Sequence, residues 1–249
     1  MTKLARAPLQ EAIFEIRWEL DIDPGTNQML DIGFSMAQGK LESIVKSRFP
    51  HHVRKLPLNF PDLVLQYQAI HQYWTGPENT WPVIQLGPGI FTINDTDLNY
   101  DWQNTYLPLI KEGLEWIYKA YDGKIKLNFA NLRYIDSVKL KDYGFDGKWQ
   151  EFIAENFNFS FLNTIHKGNL KGIQFDQLFE LEDKSTLHFT MSSGKYRYTD
   201  QDALIWQTAV FKNDKFDKKT LLEWLDLAHG ITSDSFKNLT KPVFYETFK

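Results

Sequence analysis

The last third of the chain contains the feature that most restricts its fold: strand-like runs separated by very short connections. Four such runs follow one another: Lys171–Glu182, Thr186–Met191, Lys195–Asp200 and Ala203–Lys212. Their connections are polar and about three residues long, which suits only antiparallel neighbours, because a parallel crossover needs a dozen residues or more. The sequence therefore predicts an antiparallel meander. A helix at Trp149–Phe157 precedes it, and a helix at Lys218–Gly230 follows it and continues or restarts through Ser235–Leu239.

The first half of the chain mixes strand and helix patterns. A helix is predicted from about Gln28 to Lys46, with Met29, Ile32 and Met36 in its apolar stripe, and a second from about Asn104 to Tyr121. The strands predicted in this half are Ala12–Leu20, Leu63–Ala69, Pro82–Leu86, Ile90–Asn94 and Lys124–Leu140.

Helices that follow or interrupt antiparallel strands pack on one face of the sheet. We therefore predict an α+β fold with two halves, each an antiparallel curved sheet with helices packed on one face. The glycines and acids of Asp142–Gly147 indicate the boundary. The N-terminal α+β half is placed at 1–145, and a C-terminal helix–four-strand–helix half at 146–249.

Composition excludes several classes of function. The chain has no cysteine, so disulfides, thiolate-bound metals and a thiol nucleophile are ruled out. Residues Met1–Ala7 lack the apolar region of a secretory signal, and no stretch reaches the ~20 apolar residues of a membrane span. We therefore expect a cytoplasmic protein without membrane contact. The net charge is −4, and 56–110 contains no Lys or Arg. Because phosphate backbones are bound chiefly through these cations, nucleic acid is disfavoured as a partner.

Aromatic residues are abundant, at 15% of the chain, and several occur in the cation-free region. Most of them are expected to fill the core. Tyr73, Trp74 and Trp81 flank the Thr75–Thr80 loop, where exposure is most expected. Exposed Trp and Tyr are favoured at protein interfaces. These three residues therefore indicate a protein partner or self-association.

Two strands carry charged residues that could share a face of the sheet. Glu15 and Arg17 lie on one face of the first strand, and Arg133 and Asp136 lie in the long strand 124–140. If these strands are neighbours, the residues form either a structural ion-pair network or a site for a small anionic ligand. An arginine fork suits carboxylate and phosphate. Both alternatives stay open.

No group of residues indicates a catalytic, metal or cofactor site. The six histidines never occur at the i, i+4 spacing of two metal ligands on one helix face. Gly87-Pro88-Gly89 predicts a hairpin turn, because a phosphate loop would need a later glycine and a Lys-Ser/Thr. His229 is interpreted as a residue at the end of the last helix. The sequence favours a non-enzymatic protein, leaves an enzyme open, and predicts no metal and no cofactor.

Several motifs are similar to those of one family. The first of these motifs is Ala7-Pro8-Leu9-Gln10-Glu11-Ala12-Ile13-Phe14-Glu15-Ile16-Arg17. It resembles the start of a sporadically distributed bacterial family of uncharacterised proteins. Members of that family typically begin with Pro-Pro, followed by Glu-Ala-x-x-Glu-x-Arg. Three later parts of the chain are also similar to segments of that family: Tyr100-Asp101-Trp102, Leu132–Asp136, and Leu227-Ala228-His229 with Phe236. This chain departs from the family pattern at two positions, with Ala7 where the family has Pro and Asp136 where it has Asn. The resemblance implies an accessory or defence system and brings no catalytic residues.

Two hypotheses follow. The first is a non-enzymatic bacterial cytosolic protein-interaction module. The alternative is a small-molecule or nucleotide-binding module, or an enzyme, that uses Arg17 and Arg133 to hold an anionic group.

Overall fold

A computed structural model describes residues 4–57, 60, 62–96, 98–159, 161, 165, 168, 170–197 and 199–249, apart from the side chains of 62 and 63. The strands are β1 Leu9–Trp18, β2 Asp21–Ile22, β3 Met29–Leu30, β4 His51–Arg54, β5 His71–Trp74, β6 Val83–Gly87, β7 Ile90–Asp95, β8 Leu127–Lys139, β9 Gln174–Glu180, β10 Thr186–Lys195 and β11 Asp202–Phe216. The helices are α1 Phe34–Val45, α2 Leu107–Ala120, α3 Trp149–Asn156, α4 Lys218–Leu239 and α5 Pro242–Glu246.

Most of the strands belong to one large antiparallel sheet, in the order β4-β5-β6-β7-β1-β8-β11-β10-β9, and β2 and β3 form a separate hairpin. Helices account for 31% of the chain and strands for 34%, so the predicted α+β class is confirmed.

The chain divides into two compact units, each discontinuous in sequence. The first, here the N-unit, comprises Ala12–Leu132 and Lys212–Leu225. The second, here the C-unit, comprises Met1–Glu11, Arg133–Phe211 and Asp226–Lys249. That 1–145 and 146–249 are separate domains stays a prediction.

In the N-unit, α2 packs closely on β7. Tyr106, in the π-helical turn that leads into α2, donates its hydroxyl to the backbone carbonyl of Ile93 at 2.7 Å. A Cβ at Gly113 would lie 2.5 Å from Ile93 Cδ1, so glycine permits this close approach. The helix therefore covers the face of β7 that carries Phe91 and Ile93, while Thr92 points to the opposite face.

In the C-unit, α3, α4 and α5 surround an aromatic core. Phe152 of α3 and Phe244 of α5 meet edge to face at 5.8 Å between ring centroids. Trp206 of β11 stacks on Phe236 of α4 at 6.4 Å. The buried cluster contains Val138, Leu140, Trp149, Phe152, Ile153, Phe157, Phe189, Met191, Leu204, Trp206, Phe244 and Phe248. The aromatic excess of the sequence is thus partly used in this core.

The predicted strand Leu63–Ala69 is wrong. Asp62–Leu65 form a 3-10 turn, and Tyr67 has a φ of 57°, in the left-handed region that an extended strand does not allow. The strands of this region are instead β4 and β5, which are only four residues long. Runs this short give little periodicity for a sequence pattern to detect.

Two further boundaries differ from the sequence prediction. The runs Thr186–Met191 and Lys195–Asp200 were expected to be separate strands, but β10 continues to Lys195 because Ser192, Ser193 and Gly194 pair with Ile205, Leu204 and Ala203. The meander therefore has three strands. Residue 198 lies outside the described residues. Likewise α4 continues through Gly230 to Leu239 without a break.

Candidate functional site

Glu15 and Arg17 form an ion pair within β1. Arg17 Nη2 lies 2.6 Å from Glu15 Oε1, and Arg17 Nε donates to the same oxygen at 2.7 Å. Glu15 is buried, whereas the Arg17 side chain is partly exposed. Two charge-assisted contacts on one oxygen hold the guanidinium firmly. Much of the Arg17 charge is therefore neutralised by a residue of its own strand.

Two aromatic rings flank the same guanidinium. Arg17 Cζ lies 4.7 Å from the ring centroid of Phe129 and 5.5 Å from that of Tyr67, within the range of cation–π attraction. Burial raises the pKa of Tyr67, and the neighbouring Arg17 charge opposes that rise. The arrangement fixes the orientation of Arg17. Whether Arg17 also binds a ligand stays a prediction.

A row of hydrogen-bonding side chains crosses four strands at one level. The strand register aligns Gln72 with Gln85, Gln85 with Thr92, and Thr92 with Glu15. Gln72 Nε2 donates to Gln85 Oε1 at 2.7 Å, and Gln85 Nε2 donates to Thr92 Oγ1 at 3.1 Å. Thr92 Oγ1 donates in turn to Asn94 Oδ1 at 2.8 Å. We call Gln72, Gln85, Thr92 and Glu15 the polar row; it lies on the sheet face opposite Phe91 and Ile93.

The polar row ends in a buried acceptor. Among the described residues, Gln72 Oε1 has no hydrogen-bond partner, and leaving such an atom unpaired costs about 1–3 kcal/mol. This row was not predicted from the sequence. Its sequence signal is weak: a polar residue inside each of two largely apolar strands, Gln85 in β6 and Thr92 in β7.

Tyr73 and Trp74 are core residues, so the expectation that they are exposed is wrong. They are 1% and 3% exposed. The Tyr73 hydroxyl accepts from Gln38 Nε2 of α1 at 3.0 Å, which shows that α1 covers this face of β5. Trp74 meets Trp81 edge to face at 5.2 Å between ring centroids, and Trp81 is partly buried. The two side chains point to opposite faces of β5. Tyr73 is covered by α1, and Trp74 packs against Trp81.

Side-chain nitrogens of Arg54, His71 and His52 form a hydrogen-bonded series on the face of β5 that carries Tyr73. Arg54 Nη1 is 3.2 Å from His71 Nε2; because guanidinium only donates, His71 must accept there and carry its proton on Nδ1. That Nδ1 then donates to His52 Nε2 at 2.8 Å, which leaves His52 Nδ1 facing Glu42 Oε2 at 3.6 Å. Burial, followed by the His52 and Arg54 charges, lowers the pKa of His71 to about 4. Both His71 nitrogens are occupied, so this neutral ring is a structural part of the fold.

Arg133 and Asp136 both belong to the C-unit part of β8. Arg133 Nε is buried and has no hydrogen-bond partner among the described residues. Asp136 is buried, and desolvation raises the pKa of its carboxyl to about 7. A protonated carboxyl is neutral and both donates and accepts. In that form Asp136 can donate one hydrogen bond as well as accept others.

Beside Asp136, Tyr134 and His229 join β8 to α4. The Tyr134 hydroxyl lies 3.1 Å from His229 Nδ1. Burial lowers the pKa of His229 to about 4, so the imidazole is neutral at pH 7. The predicted helix end near His229 is wrong: His229 lies inside α4 and joins this helix to the sheet.

Several exposed apolar side chains of the N-unit lie on and around the β2–β3 hairpin. Ile22, Met29, Ile32 and Met36 are between 52% and 71% exposed. Ile22 and Met29 are opposite each other in the hairpin, and the side chain of Gln66 donates to the Met29 carbonyl, which brings exposed Val64 into the same region. We call Ile22, Met29, Ile32, Met36 and Val64 the apolar patch.

The exposure of this patch shows that the predicted start of the helix Gln28–Lys46 is wrong. Met29, Ile32 and Met36 were expected on its buried stripe, but α1 starts only at Phe34 and buries Ala37, Leu41 and Val45. Asp31 explains the change, because its Oδ2 accepts from Trp18 Nε1 at 3.1 Å, from Gly89 N at 2.9 Å and from the Tyr121 hydroxyl at 2.7 Å. Asp31 thereby anchors the segment to the sheet, and its neighbour Ile32 points outward.

Acidic residues accompany the patch. Glu19 and Asp21 are exposed, and Asp23 is partly exposed. The two segments that supply the patch carry no Lys or Arg, since none occurs in 18–39 or in 56–110. The segments that supply the patch therefore contribute exposed acids and no cation of their own.

In the part of the chain that the structure describes, no three His, Asp or Glu residues are placed to hold a metal ion. Within that same part, no helix has the length and apolarity to span a membrane. No protein-family model, curated protein or solved structure matches the chain. The function is therefore inferred from the arrangement of these residues.

Proposed function

We propose that this protein is a non-enzymatic cytosolic binding module that recognises another protein through the apolar patch of the N-unit. One observation carries the proposal: four large apolar side chains of residues 22–36 are each more than half exposed. Large apolar side chains exposed close together in the chain, as here, are a common feature of interaction sites. Burying it on a partner would remove it from water, at about 25 cal/mol per Å² of apolar area.

The charges around the patch suit a basic partner. Glu19 and Asp21 are exposed, and no cation occurs in the segments that form the patch. Complementary charges speed association and exclude acidic partners. Two of the five patch residues are Met29 and Met36, whose flexible side chains adapt to differently shaped apolar surfaces. The partner that fits is a segment with exposed apolar side chains and Lys or Arg beside them.

The proposal retains the predicted architecture of two halves, each with a curved sheet whose helices cover one face. In the first half, the contacts of Tyr106 and Gly113 with Ile93 support it. In the second half, the packing of Phe152 and Phe244 supports it.

Affinity capture from a native bacterial lysate tests this proposal, with three baits compared by quantitative mass spectrometry. The baits are the wild type, the patch variant Met36→Lys and the control variant Val243→Lys. Val243 is also a highly exposed apolar residue, but it lies in α5 of the C-unit. We expect one basic protein to be enriched by the wild type and by Val243→Lys, and lost with Met36→Lys.

The salt dependence provides a second criterion. Because the patch is bordered by acids, we expect capture to weaken markedly between about 50 and 500 mM NaCl. Capture of no protein, or of a protein that Met36→Lys retains equally, would contradict the proposal.

The alternative is a small-molecule site at Arg17. The observation in its favour is that the partly exposed guanidinium is held between the rings of Tyr67 and Phe129. It has weaker support because the Glu15 carboxylate already lies 2.6 Å from Arg17. Calorimetric titration with inorganic phosphate and with a nucleoside triphosphate tests it, using Arg17→Gln as the variant. Heat of binding that Arg17→Gln abolishes would support this alternative, and no heat with either anion would remove it.

A further inference from the structure

Strand β9 has an open edge. It is the last strand in the sheet order and pairs only with β10 on its inner side. Among the described residues, no strand pairs with its other side. Leu178 and Phe179 are 63% and 46% exposed, and they point to opposite faces of the strand because side chains alternate.

This edge has only part of the usual protection, supplied by the exposed acids Asp176 and Glu180. Native proteins blunt sheet edges with Lys, Pro, bulges or very short strands. The seven residues Gln174–Glu180 contain no Lys, Pro or Gly, and they pair with β10 in one continuous register. A long, regular edge with exposed Leu and Phe is a template for another strand.

The sequence of β9 is complementary to itself when two copies run antiparallel about Gln177. In that register Gln177 faces Gln177 of the second copy, and Phe175 faces Phe179. Asp176 faces Leu178, and Gln174 faces Glu180. We infer that β9 pairs with β9 of a second copy of this chain, joining two sheets across a twofold axis.

The register avoids direct like-charge pairs and leaves the acids only in diagonal positions. No acid lies directly opposite an acid, whereas like charges directly opposite each other destabilise a strand pair. Phe175 packs on Phe159 and Phe161 of its own chain and is only partly buried. Exposed Phe179 of the second copy would lie opposite it, and aromatic pairs across strands are favourable. Gln174 can donate its amide to the Glu180 carboxylate.

The contact is small, because two seven-residue strands bury less than the ~1,200–2,000 Å² of a standard interface. We therefore expect a reversible dimer rather than an obligate one. β9 belongs to the C-unit and the apolar patch to the N-unit, so this inference does not rest on the proposed function, and either can fail alone.

Cysteine cross-linking of the full chain tests the register, since the wild type contains no cysteine. In Gln177→Cys the two Cα atoms lie about 4.5–5.5 Å apart across the axis, within the span of a disulfide. In the control Glu180→Cys, each position 180 faces position 174 of the other copy. The two Cα atoms at position 180 are therefore six residues apart along the strands, about 20 Å. Under a mild oxidant we expect Gln177→Cys to give covalent dimer at least about tenfold faster than Glu180→Cys. Equal rates would overturn the inference.

Sedimentation equilibrium provides the second measurement and separates strand pairing from simple apolar contact. The wild type should shift from 29.3 kDa towards twice that mass as its concentration rises. Gln177→Lys places two Lys residues opposite each other and should weaken dimerisation at least about tenfold. Leu178→Lys places Lys opposite Asp176 and should preserve or strengthen it.

A wild type that stays monomeric at every concentration would overturn the inference. So would a dimer that Leu178→Lys weakens while Gln177→Lys leaves it intact, because apolar association through Leu178 would then be the cause. Circular dichroism of each variant checks that it is folded; all three substituted residues are exposed, so folding should be retained.

Discussion

The buried carboxyl of Asp136 makes the free energy of unfolding depend on pH in a defined direction. Burial raises its pKa from 3.8 to about 7. Between these two values the folded state holds a proton that the unfolded state has lost. Stability therefore falls as pH rises through this window. Asp136→Asn keeps the size and shape of the side chain but removes the ionisation.

The magnitude follows from the two pKa values. One pKa unit corresponds to about 1.4 kcal/mol of differential interaction. With a shift of this size, the wild type should lose about 2–3 kcal/mol relative to Asp136→Asn between pH 5 and pH 8. Constant effects of the substitution, such as small changes in packing, cancel in this difference. The same histidines are present in both proteins, so their titration cancels too.

Urea denaturation followed by tryptophan fluorescence at pH 5 and pH 8, at one ionic strength, measures the effect. Asp146→Asn is the matched control for the same substitution, because Asp146 lies in the same unit and is exposed. A gain for Asp136→Asn that is equal at both pH values would refute the reasoning, since the carboxyl would then not be protonated in the fold.

Two further predictions concern the N-unit. Gly87→Ala should lower the free energy of unfolding by more than about 2 kcal/mol, because the new Cβ would lie 1.7 Å from the Gln68 carbonyl oxygen. Gly39 lies in α1, where a new Cβ would have nothing within 4 Å, so Gly39→Ala should instead raise the free energy of unfolding by about 0.5–1 kcal/mol. Urea denaturation at pH 7 measures both changes. The folded pKa of His71 is about 4, below its unfolded value of 6.5, so stability should fall as pH decreases from 6.5 to 4. His71→Gln should reduce that loss by about 1–2 kcal/mol after allowance for solvent screening, and unchanged acid sensitivity would contradict this.

Several elements could be predicted because their signals are local. The alternating pattern predicts β1, and Gly87-Pro88-Gly89 predicts the hairpin of β6 and β7, where Gly89 has a φ of 77°. A helix was also predicted from about Asn104, and the structure has a π-helical turn at Trp102–Tyr106 before α2 starts at Leu107. Asp101 Oδ1 caps that turn by accepting from the backbone N–H of Asn104 at 2.9 Å. In each case the residues that decide the structure lie within a few positions of one another.

The candidate site was less predictable. Proximity of Glu15 and Arg17 follows from their spacing in one strand, and the ion pair is present. The flanking of Arg17 by Tyr67 and Phe129 does not follow from spacing, because these rings come from segments about 50 and 110 residues away. The same is true of Tyr73, whose burial depends on Gln38 of α1.

The sequence alone determined the α+β class, the cation-free region, the absence of thiol chemistry and the strands with clear alternation. These properties depend on composition or on neighbours along the chain. Only the tertiary structure decided which apolar residues are exposed, because Asp31 holds its segment on Trp18, Gly89 and Tyr121 and thereby turns Ile32 outward. It also decided that Asp136 is desolvated and that β9 lies at an edge. Burial and edge position depend on what packs alongside a residue, and those neighbours are distant in sequence.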